Sequence, residues 1–289
     1  MITAPPTKIA VLGAGLLGGS LLAALRKKSP SLHLRAWARR ADTAKEVTRL
    51  HLADIASTDL DLATDGAELV ILCTPVETMT GLAKKLNVTR LAPQCVVTDV
   101  GSVKTPVVTA LEDILAAKKI TFIGSHPMAG SEKSGLENSR ADLFEGASCI
   151  ITPTLFTAEI ALHQARWLWT LVGGRLLEMS PEDHDRKIAS ISHMPHLAAV
   201  AIALSSLHDD PDAAICMGNG FRDTTRIASG DPELWTGIIS QNRVEALAAL
   251  SKLQIEIGRM HQVIEQGDDK ALHTILDQAK SLRDHALKS

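Results

Sequence analysis

The segment GSHPMAGSEKSG places a histidine, His126, where an apolar run gives way to a glycine-rich loop. An imidazole titrates near neutral pH, so a histidine in such a position can serve as a general base. The segment TDVGSVK ends another apolar run in the same way and carries Asp99, Ser102 and Lys104. If both runs are parallel strands, their carboxyl ends meet at the edge of the sheet where ligands bind. We therefore expect Ser102 and His126 to lie close together and to share a hydrogen bond.

A second group of residues suited to chemistry lies in the last third of the chain. SHMPH contributes His193 and His196, and GFRDTTRIASGDPELW contributes Asp223, Arg226 and Trp235. In a helix, Asp223 and Arg226 are three residues apart and close enough to pair. Such a pair can hold a guanidinium so that its fork binds a substrate carboxylate through two hydrogen bonds.

Each of these residues also has a simpler explanation. A lone histidine is more often structural than catalytic, and an Asp–Arg pair at helical spacing is usually a surface ion pair. His126, His193 and His196 could in principle hold zinc, but Pro195 interrupts the helical spacing that such ligands use, so we predict no metal. A serine hydrolase is excluded because the chain has no GxSxG motif.

A glycine-rich loop near the start of the chain predicts a dinucleotide site. VLGAGLLGGS contains Gly13, Gly15 and Gly18 in the spacing GxGxxG, directly after an apolar run and at the start of a helical pattern. The three glycines allow a tight turn, a close approach of the pyrophosphate and close packing of helix on strand. Leu16 and Leu17 would then open the helix whose free N–H groups bind the phosphates.

The cofactor is predicted to be NADP or NAD, with NADP favoured. An NAD site usually carries an acid about 20 residues after the glycines, at the end of the second strand. Ala38 stands there instead, followed by Arg39 and Arg40. Two arginines without an acid suit a 2′-phosphate better than a free hydroxyl, although they could also be a solvated loop. The turn formed by Thr74, Pro75 and Val76 is a further predicted cofactor contact, with a plain turn as the alternative.

Short apolar runs alternate with helical patterns along the first part of the chain. They predict a sheet that positions these residues. β-branched runs separated by amphipathic stretches are typical of a parallel sheet with helices on both faces. The fold class is therefore α/β, a doubly wound, mostly parallel Rossmann sheet, followed by an all-helical domain. The predicted strands are residues 8–14, 33–39, 69–75, 95–101, 120–126 and 147–153.

After Pro153 the strand pattern stops and the remainder is predicted to be helical. We expect a dinucleotide-binding domain over 1–153 and a helical substrate and dimerisation domain over 154–289. Predicted N-caps are Thr157, Ser180, Asp231 and Asp268, and Gly173 and Gly267 are predicted to end helices. The stretch HLAAVAIALSSL is apolar on nearly every side, so a second copy of the chain is expected to cover it.

The amino-acid composition limits which kinds of partner and which cellular compartment are expected for the protein. A formal charge of −3 over 289 residues argues against nucleic-acid binding. The four cysteines are widely spaced, as expected for free thiols in a reducing compartment. We expect a cytoplasmic protein, because the chain begins without a signal-peptide pattern and no membrane helix is evident.

Five segments together resemble the prephenate/arogenate (cyclohexadienyl) dehydrogenase family of tyrosine biosynthesis, most closely prephenate dehydrogenases. They are GAGLLGGS, TDVGSVK, GSHPMAGSEKSG, SHMPHLAA and GFRDTTRIASGDPELW, in that order. The resemblance spans nearly the whole chain. It implies a Rossmann domain, a helical dimerisation domain and NAD(P)-dependent oxidative decarboxylation of prephenate to 4-hydroxyphenylpyruvate, with hydride transfer from ring C4.

The resemblance also implies roles for individual residues. His126 matches the catalytic histidine that bonds the C4 hydroxyl, and Ser102 matches the serine that orients it near the nicotinamide. Arg226 matches the anchor for a substrate carboxylate. Further implied substrate-binding positions are Asp223, His193, Ser131, Glu132 and Trp235. Ser125 is expected to serve only the end of its strand.

Three alternatives remain open at the level of the sequence. The substrate could be arogenate, which gives tyrosine directly. The same two-domain plan could also serve a β-hydroxyacid dehydrogenase or an imine reductase, although neither has a use for SHMPH with FRDTTR. A non-catalytic, NADP-sensing dimer would keep the glycine loop and tolerate loss of His126.

Overall fold

A computed structural model describes residues 4–130, 133 and 135–288. Within these residues one eight-stranded sheet runs in the order β3-β2-β1-β4-β5-β6-β7-β8. The first six strands are parallel, β7 is antiparallel to β6, and β8 is parallel to β7. The strands are β1 (Lys8–Leu12), β2 (His33–Trp37), β3 (Ile55–Ser57), β4 (Leu69–Leu72), β5 (Val96–Asp99), β6 (Thr121–Pro127), β7 (Ser148–Thr152) and β8 (Arg175–Glu178).

The helices lie between the strands in the first part of the chain and follow one another in the last part. They are α1 (Leu16–Lys28), α2 (Ala41–Arg49), α3 (Leu60–Thr64), α4 (Val76–Lys85), α5 (Thr105–Ala116), α6 (Glu159–Leu171), α7 (Pro181–Ile188), α8 (Met194–Leu207), α9 (Asn219–Thr225), α10 (Pro232–Gln241), α11 (Arg243–Glu265) and α12 (Asp269–Ala286). The doubly wound sheet and the helical second part confirm the predicted fold class.

Alternation along the central strand gives the sheet two cores. Ile9 and Val11 of β1 belong to one buried cluster, with apolar residues of α1 and α6. Ala10 and Leu12 point the other way, into a cluster with residues of α4 and α5. Because both faces are covered, the central strands β1 and β4 are almost entirely apolar. The sheet therefore presents its polar side chains at its carboxyl edge.

The sheet extends beyond the boundary predicted at residue 153, so the prediction that strands end there is wrong. β8 pairs with β7, and α6 before it contacts β6 and β8. The short sequence RLLE is mostly exposed at the edge of the sheet, so it lacks the apolar run that reveals a buried strand. β3 was missed for a similar reason, since it has three half-buried residues. The division between sheet and helices falls after Glu178.

Caps fix the beginnings of the later helices. Ser180, Asp231 and Asp268 accept hydrogen bonds from backbone amides in the first turn of α7, α10 and α12, as predicted. The predicted cap Thr157 is wrong, because its hydroxyl accepts a bond from the Thr154 amide before α6 begins. The predicted glycine ends are confirmed by positive φ angles of 87° and 64° just after α6 and α11.

A π-helical segment, Ala189–His193, joins α7 to α8 into one helix. Pro195 at the start of α8 lacks the N–H that an uninterrupted α-helix requires, and a π turn absorbs such a defect. Among the described residues this helix, Pro181–Leu207, is long and apolar enough to cross a membrane, which the sequence analysis did not predict. The helix also carries buried polar residues, His184, Asp185, His193 and His196, and a single helix that passes by length and composition is weak evidence for a span.

Candidate active site

The loop between β1 and α1 has the geometry of a pyrophosphate cradle. Gly13 has a φ of 110°, and a Cβ there would lie 2.7 Å from the carbonyl oxygen of Cys73. Only glycine fits that turn. A Cβ on Gly18 would collide with the Gly13 carbonyl, so this glycine lets α1 pack closely on the loop. By contrast, a Cβ on Gly15 would meet nothing within 4 Å, which leaves the space above the loop open.

The start of α1 is suited to bind an anion. Leu16 and Leu17 form its first positions, and Gly15 caps the helix without a side-chain hydrogen bond. The first N–H groups of the helix therefore point out of the loop without a protein side chain on them. Glycine geometry and these amides together fit the pyrophosphate of a dinucleotide.

Other predicted cofactor positions surround the loop at the carboxyl edge. Arg39 and Arg40 are exposed directly after β2, where the buried Ala38 offers no carboxylate. At the end of β4, Pro75 is exposed, whereas Val76 is buried. Thr74 is half-buried, and its hydroxyl accepts a hydrogen bond of 2.9 Å from Thr78.

A buried ion pair ties the ends of β5 and β6 together. Lys104 Nζ donates to the carboxylate of Asp99, and both side chains are 0% exposed. Lys104 also donates to the Ser125 carbonyl over 2.9 Å, and the Ser125 amide donates to Asp99 over 3.0 Å. Burial lowers the pKa of Lys104, and the carboxylate partly opposes this shift. Ser125 therefore serves the strand end, and the network fixes the position of the next residue, His126.

His126 is the first member of a buried chain of three side chains. Its Nδ1 lies 2.8 Å from Nε2 of His184, and Nδ1 of His184 lies 2.8 Å from the carboxylate of Asp185. Burial lowers the pKa of His126 well below its ordinary value, and electrostatic interactions with His184, Lys104 and His193 lower it further. Burial also lowers the pKa of His184, against the effect of Asp185. Both rings are therefore neutral near pH 7.

Asp185 anchors this chain to both parts of the molecule. Its carboxylate accepts hydrogen bonds of 2.8 Å from the backbone amides of Lys104 and Thr105, at the start of α5. Burial alone would raise the pKa of Asp185, but the hydrogen bonds from His184 and these amides lower it overall. A carboxylate on α7 thus caps a helix of the sheet region, and the two parts meet at the site.

Asn242, at the break between α10 and α11, places its side-chain amide inside the site. Nδ2 of Asn242 donates to the Asp185 carbonyl over 2.9 Å and lies 3.2 Å from Nδ1 of His193. His193 is 1% exposed, and burial lowers its pKa to about 4. Trp235 stacks on His196 with ring centroids 3.6 Å apart and meets His193 edge-on at 6.3 Å. Trp235 therefore packs the two helical histidines into one group, as expected for a pocket wall.

Arg226 lies beside a hollow of about 550 Å³ in the helical part. The hollow is also lined by Arg222, Phe221 and Met217, so it combines cationic and apolar walls. Charged guanidinium groups in such a setting are suited to bind carboxylates.

The structure differs from two predicted pairings. Ser102 is half-buried, and the ring of His126 bonds through Nδ1 to His184 rather than to Ser102. Asp223 lies in α9, which ends at Thr225, and Arg226 begins the 3₁₀ turn that follows, so the two residues do not share the continuous α-helix that the prediction assumed. Ser131 and Glu132 lie outside the described residues.

Three residues of the site escaped the sequence analysis: His184, Asp185 and Asn242. The first two lie in PEDHDRK, whose dense charge is typical of a solvated helix surface. The available signal was the pair of adjacent residues His–Asp shortly before SHMPH. Across the described residues, no group of three or more His, Cys, Asp or Glu side chains could hold a metal ion.

Sheet, glycine loop and helical part define a two-domain dehydrogenase that uses a nicotinamide dinucleotide, NAD(P). Comparison with known families specifies which one. Residues 22–178 match the family model described as the prephenate dehydrogenase nucleotide-binding domain, and residues 180–278 match the prephenate dehydrogenase dimerization domain. The chain belongs to the prephenate dehydrogenase family. The boundary between the two matches coincides with the end of β8.

Individual relatives are similar over nearly the whole chain. A prephenate dehydrogenase of Bacillus subtilis is 33% identical over 279 residues, which cover 96% of this chain and 75% of the relative. The crystal structure of A. aeolicus prephenate dehydrogenase with hydroxyphenyl propionate and NAD+ is 31% identical, with a TM-score of 0.89 and coverage of 98% and 99%. Synechocystis arogenate dehydrogenase is also 31% identical, with a TM-score of 0.82 and coverage of 96% and 99%.

Proposed function

We propose that this protein catalyses the NAD(P)-dependent oxidative decarboxylation of prephenate to 4-hydroxyphenylpyruvate. The observation that carries the proposal is the neutral, buried His126 at the carboxyl edge of a dinucleotide-binding sheet. A neutral imidazole can accept a proton, whereas an imidazolium cannot. Membership of the prephenate dehydrogenase family supports the choice of substrate.

Each part of the site has a task in this reaction. A nicotinamide cofactor held at the glycine loop would supply the oxidising power, as the acceptor of a hydride from ring C4 of the substrate. His126 accepts the proton of the C4 hydroxyl as the carbonyl forms, and the departure of the ring carboxylate as CO2 makes the ring aromatic. Arg226 and His193, on the helical side, bind the substrate so that C4 meets the cofactor. The protein thus supplies position and one proton acceptor, while the cofactor supplies the oxidising power.

Steady-state kinetics with both substrates and both cofactors test the proposal. Purified protein should form NAD(P)H in the presence of prephenate and release CO2 in equal amount. Cofactor binding without turnover of either substrate would contradict the proposal and favour a sensing role. Arogenate is the second candidate, supported by the 31% identical relative named as an arogenate dehydrogenase. The two substrates differ only in a keto or amino group, so their relative kcat/KM values decide between them.

For the cofactor we propose a preference for NADP over NAD. Support comes from Ala38 in place of an acid and from the exposed side chains of Arg39 and Arg40 after β2. Guanidinium groups can bind a 2′-phosphate, which NAD lacks. Replacing Arg39 and Arg40 with Ser should raise KM for NADP+ and leave KM for NAD+ nearly unchanged. Equal kcat/KM for both cofactors in the wild-type protein would contradict the preference.

We further propose a homodimer formed through the helical part. Support comes from large apolar side chains that are exposed on it, among them Leu204 of α8, Val244, Leu247 and Ile255 of α11, and Leu282 of α12. Monomeric proteins rarely expose so many apolar side chains close together. The match of residues 180–278 to a dimerization domain points the same way.

Sedimentation analysis tests the dimer. Ile255→Glu places a charge on this surface and should shift the protein toward monomer at micromolar concentration. Lys252→Glu is the matched control, since it changes the charge at an already polar position of the same helix. A wild-type protein that sediments as a monomer over the same concentrations contradicts the proposal.

A further inference from the structure

We propose that His184, backed by Asp185, is a positioning residue: it fixes His126 in the tautomer whose Nε2 accepts the substrate proton. The inference deepens the proposed function and rests on it for the identity of the substrate. It assigns a task to two residues that touch neither the glycine loop nor the hollow beside Arg226.

The tautomer follows from the order of the three side chains. The carboxylate of Asp185 can only accept, so the nearest ring nitrogen, Nδ1 of His184, must donate. In a neutral imidazole the other nitrogen is then an acceptor, so Nε2 of His184 accepts from Nδ1 of His126. The same rule leaves Nε2 of His126 with its lone pair. One buried carboxylate thus determines, two rings away, which nitrogen of His126 can act as the base.

Asp185 itself is held firmly enough to set this direction. Two backbone N–H groups, of Lys104 and Thr105, already point at its carboxylate, each over 2.8 Å. These donors cannot be reversed, so they favour the ionised carboxylate over a protonated one. Asp185 is 3% exposed and His184 is 0% exposed, so water does not compete for either partner.

The chain also stabilises the proton while His126 holds it. When the O–H bond of the substrate breaks, its electron pair forms the carbonyl and the proton bonds to Nε2 of His126. The ring is then a cation in a buried site, where burial disfavours charge, as do interactions with His184, Lys104 and His193. The hydrogen bond from its Nδ1 to His184 offsets part of this cost, because Asp185 polarises that acceptor. When CO2 leaves, the electron pair of its bond to the ring enters the ring, the π pair of the carbonyl moves onto the oxygen, and the proton returns from Nε2 to that oxygen to give the phenol.

The charged and titratable groups that act on His184 and its partners come from several elements. They are Asp185 on the same helix, His193 in the π segment, Asp99 and Lys104 in the β5–α5 region, and His126 on β6. Since Asp99 and Lys104 form a pair, Asp185 is the unmatched charge nearest to the two rings. The negative charge of Asp185 therefore polarises the ring of His184 and, through it, the ring of His126.

Two substitutions of His184 test whether this residue positions His126 or only fills space. His184→Gln can place its amide oxygen near the position of Nε2, so it keeps an acceptor for Nδ1 of His126. His184→Leu fills similar space without an acceptor. We expect kcat within about 10-fold of wild type for Gln and a loss of about 100-fold or more for Leu, with KM little changed in both. Asp185 is the less suitable position, because its substitution also removes the cap of α5.

His163→Gln is the matched control for replacing a histidine. His163 lies in α6, is half-buried, and its Nδ1 has no hydrogen-bond partner among the described residues. It should keep wild-type kcat. Equal kcat for the Leu and Gln variants, when thermal unfolding shows both folded, would mean that His184 acts through packing alone and would overturn the proposal.

A spectroscopic signature decides the question even if the Leu variant fails to fold. In protein labelled with ¹⁵N-histidine, the ring shifts of His126 should show a protonated Nδ1 and a bare Nε2 in the wild type and in His184→Gln. A wild-type signal with the proton on Nε2 overturns the proposal. This measurement needs no substrate. If prephenate is not turned over although the signature is found, the proposed function has failed and the positioning by His184 has not.

Discussion

The sheet side and the helical side of the site differ in how completely their polar atoms are bonded. On the sheet side, Asp99 accepts from Lys104 and two backbone amides, and the ring of His126 is held by His184. On the helical side, Nε2 of His193 and Nδ1 of His196 are buried with no partner among the described residues. On the sheet side the groups named here are bonded within the protein apart from Nε2 of His126, whereas on the helical side both histidines keep a buried ring nitrogen for a ligand.

The two sides also hold their histidines in opposite tautomers. Asn242 is fixed by its bond to the Asp185 carbonyl, so its Nδ2 donates to Nδ1 of His193. Nε2 of His193 then carries hydrogen and can donate, whereas Nε2 of His126 can only accept. A buried donor without a partner costs about 1–3 kcal/mol. A substrate oxygen bound there would recover that cost, so the proposed roles are proton acceptance for His126 and substrate binding for His193.

The largest expected effect comes from breaking the sheet side. His126→Asn removes the proton acceptor but keeps a polar side chain at the end of β6. We expect kcat to fall about 10²- to 10⁴-fold, the usual contribution of general base catalysis. KM should stay within a few-fold, because the binding groups lie on the helical side. Steady-state kinetics with prephenate measure both constants.

His163→Gln, away from the site in α6, again serves as the control. A His126→Asn enzyme with a kcat near that of wild type would show that another group takes the proton. A large rise in KM without a fall in kcat would instead place His126 among the binding residues and remove the contrast between the two sides.

The contrast could be predicted from the sequence only in part. The glycine loop and the apolar runs reveal the sheet, because a buried parallel strand and a tight phosphate turn have local signatures. His126 follows such a run, so its place at the carboxyl edge was predictable. Its partner was not: Asp185 meets the amide of Lys104, 81 residues earlier in the chain. No local pattern shows that a charged helix turn is buried against that edge.

The helical side was harder to predict for the same reason. Residues 231–267 read as one helix, yet the chain breaks at Asn242, whose φ of −105° and ψ of 34° lie outside the helical range. An asparagine in the middle of a helical pattern is a weak signal by itself. Its function comes from the two groups that it bonds, and both belong to a different helix.

A smaller effect, on binding rather than turnover, is expected from the helical side. Arg226→Ala removes the proposed anchor for a substrate carboxylate. Hydrogen bonds to charged groups contribute about 1.5–3 kcal/mol, so we expect KM for prephenate to rise about 10- to 100-fold. The kcat value should change by only a few-fold, since the acceptor and its partners remain.

Arg222→Ala is the matched control, because Arg222 lines the same hollow from the preceding turn. It should raise KM much less than Arg226→Ala does. If both variants raise KM equally, the hollow attracts the substrate by its overall charge, and Arg226 is not a specific anchor.

The smallest expected effect is a change in how stability depends on pH. His193 is neutral when folded, with a pKa of about 4 that results mainly from burial, whereas an unfolded histidine titrates near pH 6.5. Between these values the unfolded chain binds the extra proton, so the contribution of His193 to stability is complete above about pH 6.5 and declines as pH falls toward 4.

His193→Asn retains a polar group for Asn242 and should reduce the slope of unfolding free energy against pH by about 1.4 kcal/mol per unit. Urea unfolding of the wild type and the variant from pH 4 to 7 measures this slope. An unchanged slope in the His193 variant would mean that the ring of His193 is already protonated in the folded protein. His193 and His126 would then not be two neutral rings in opposite tautomers.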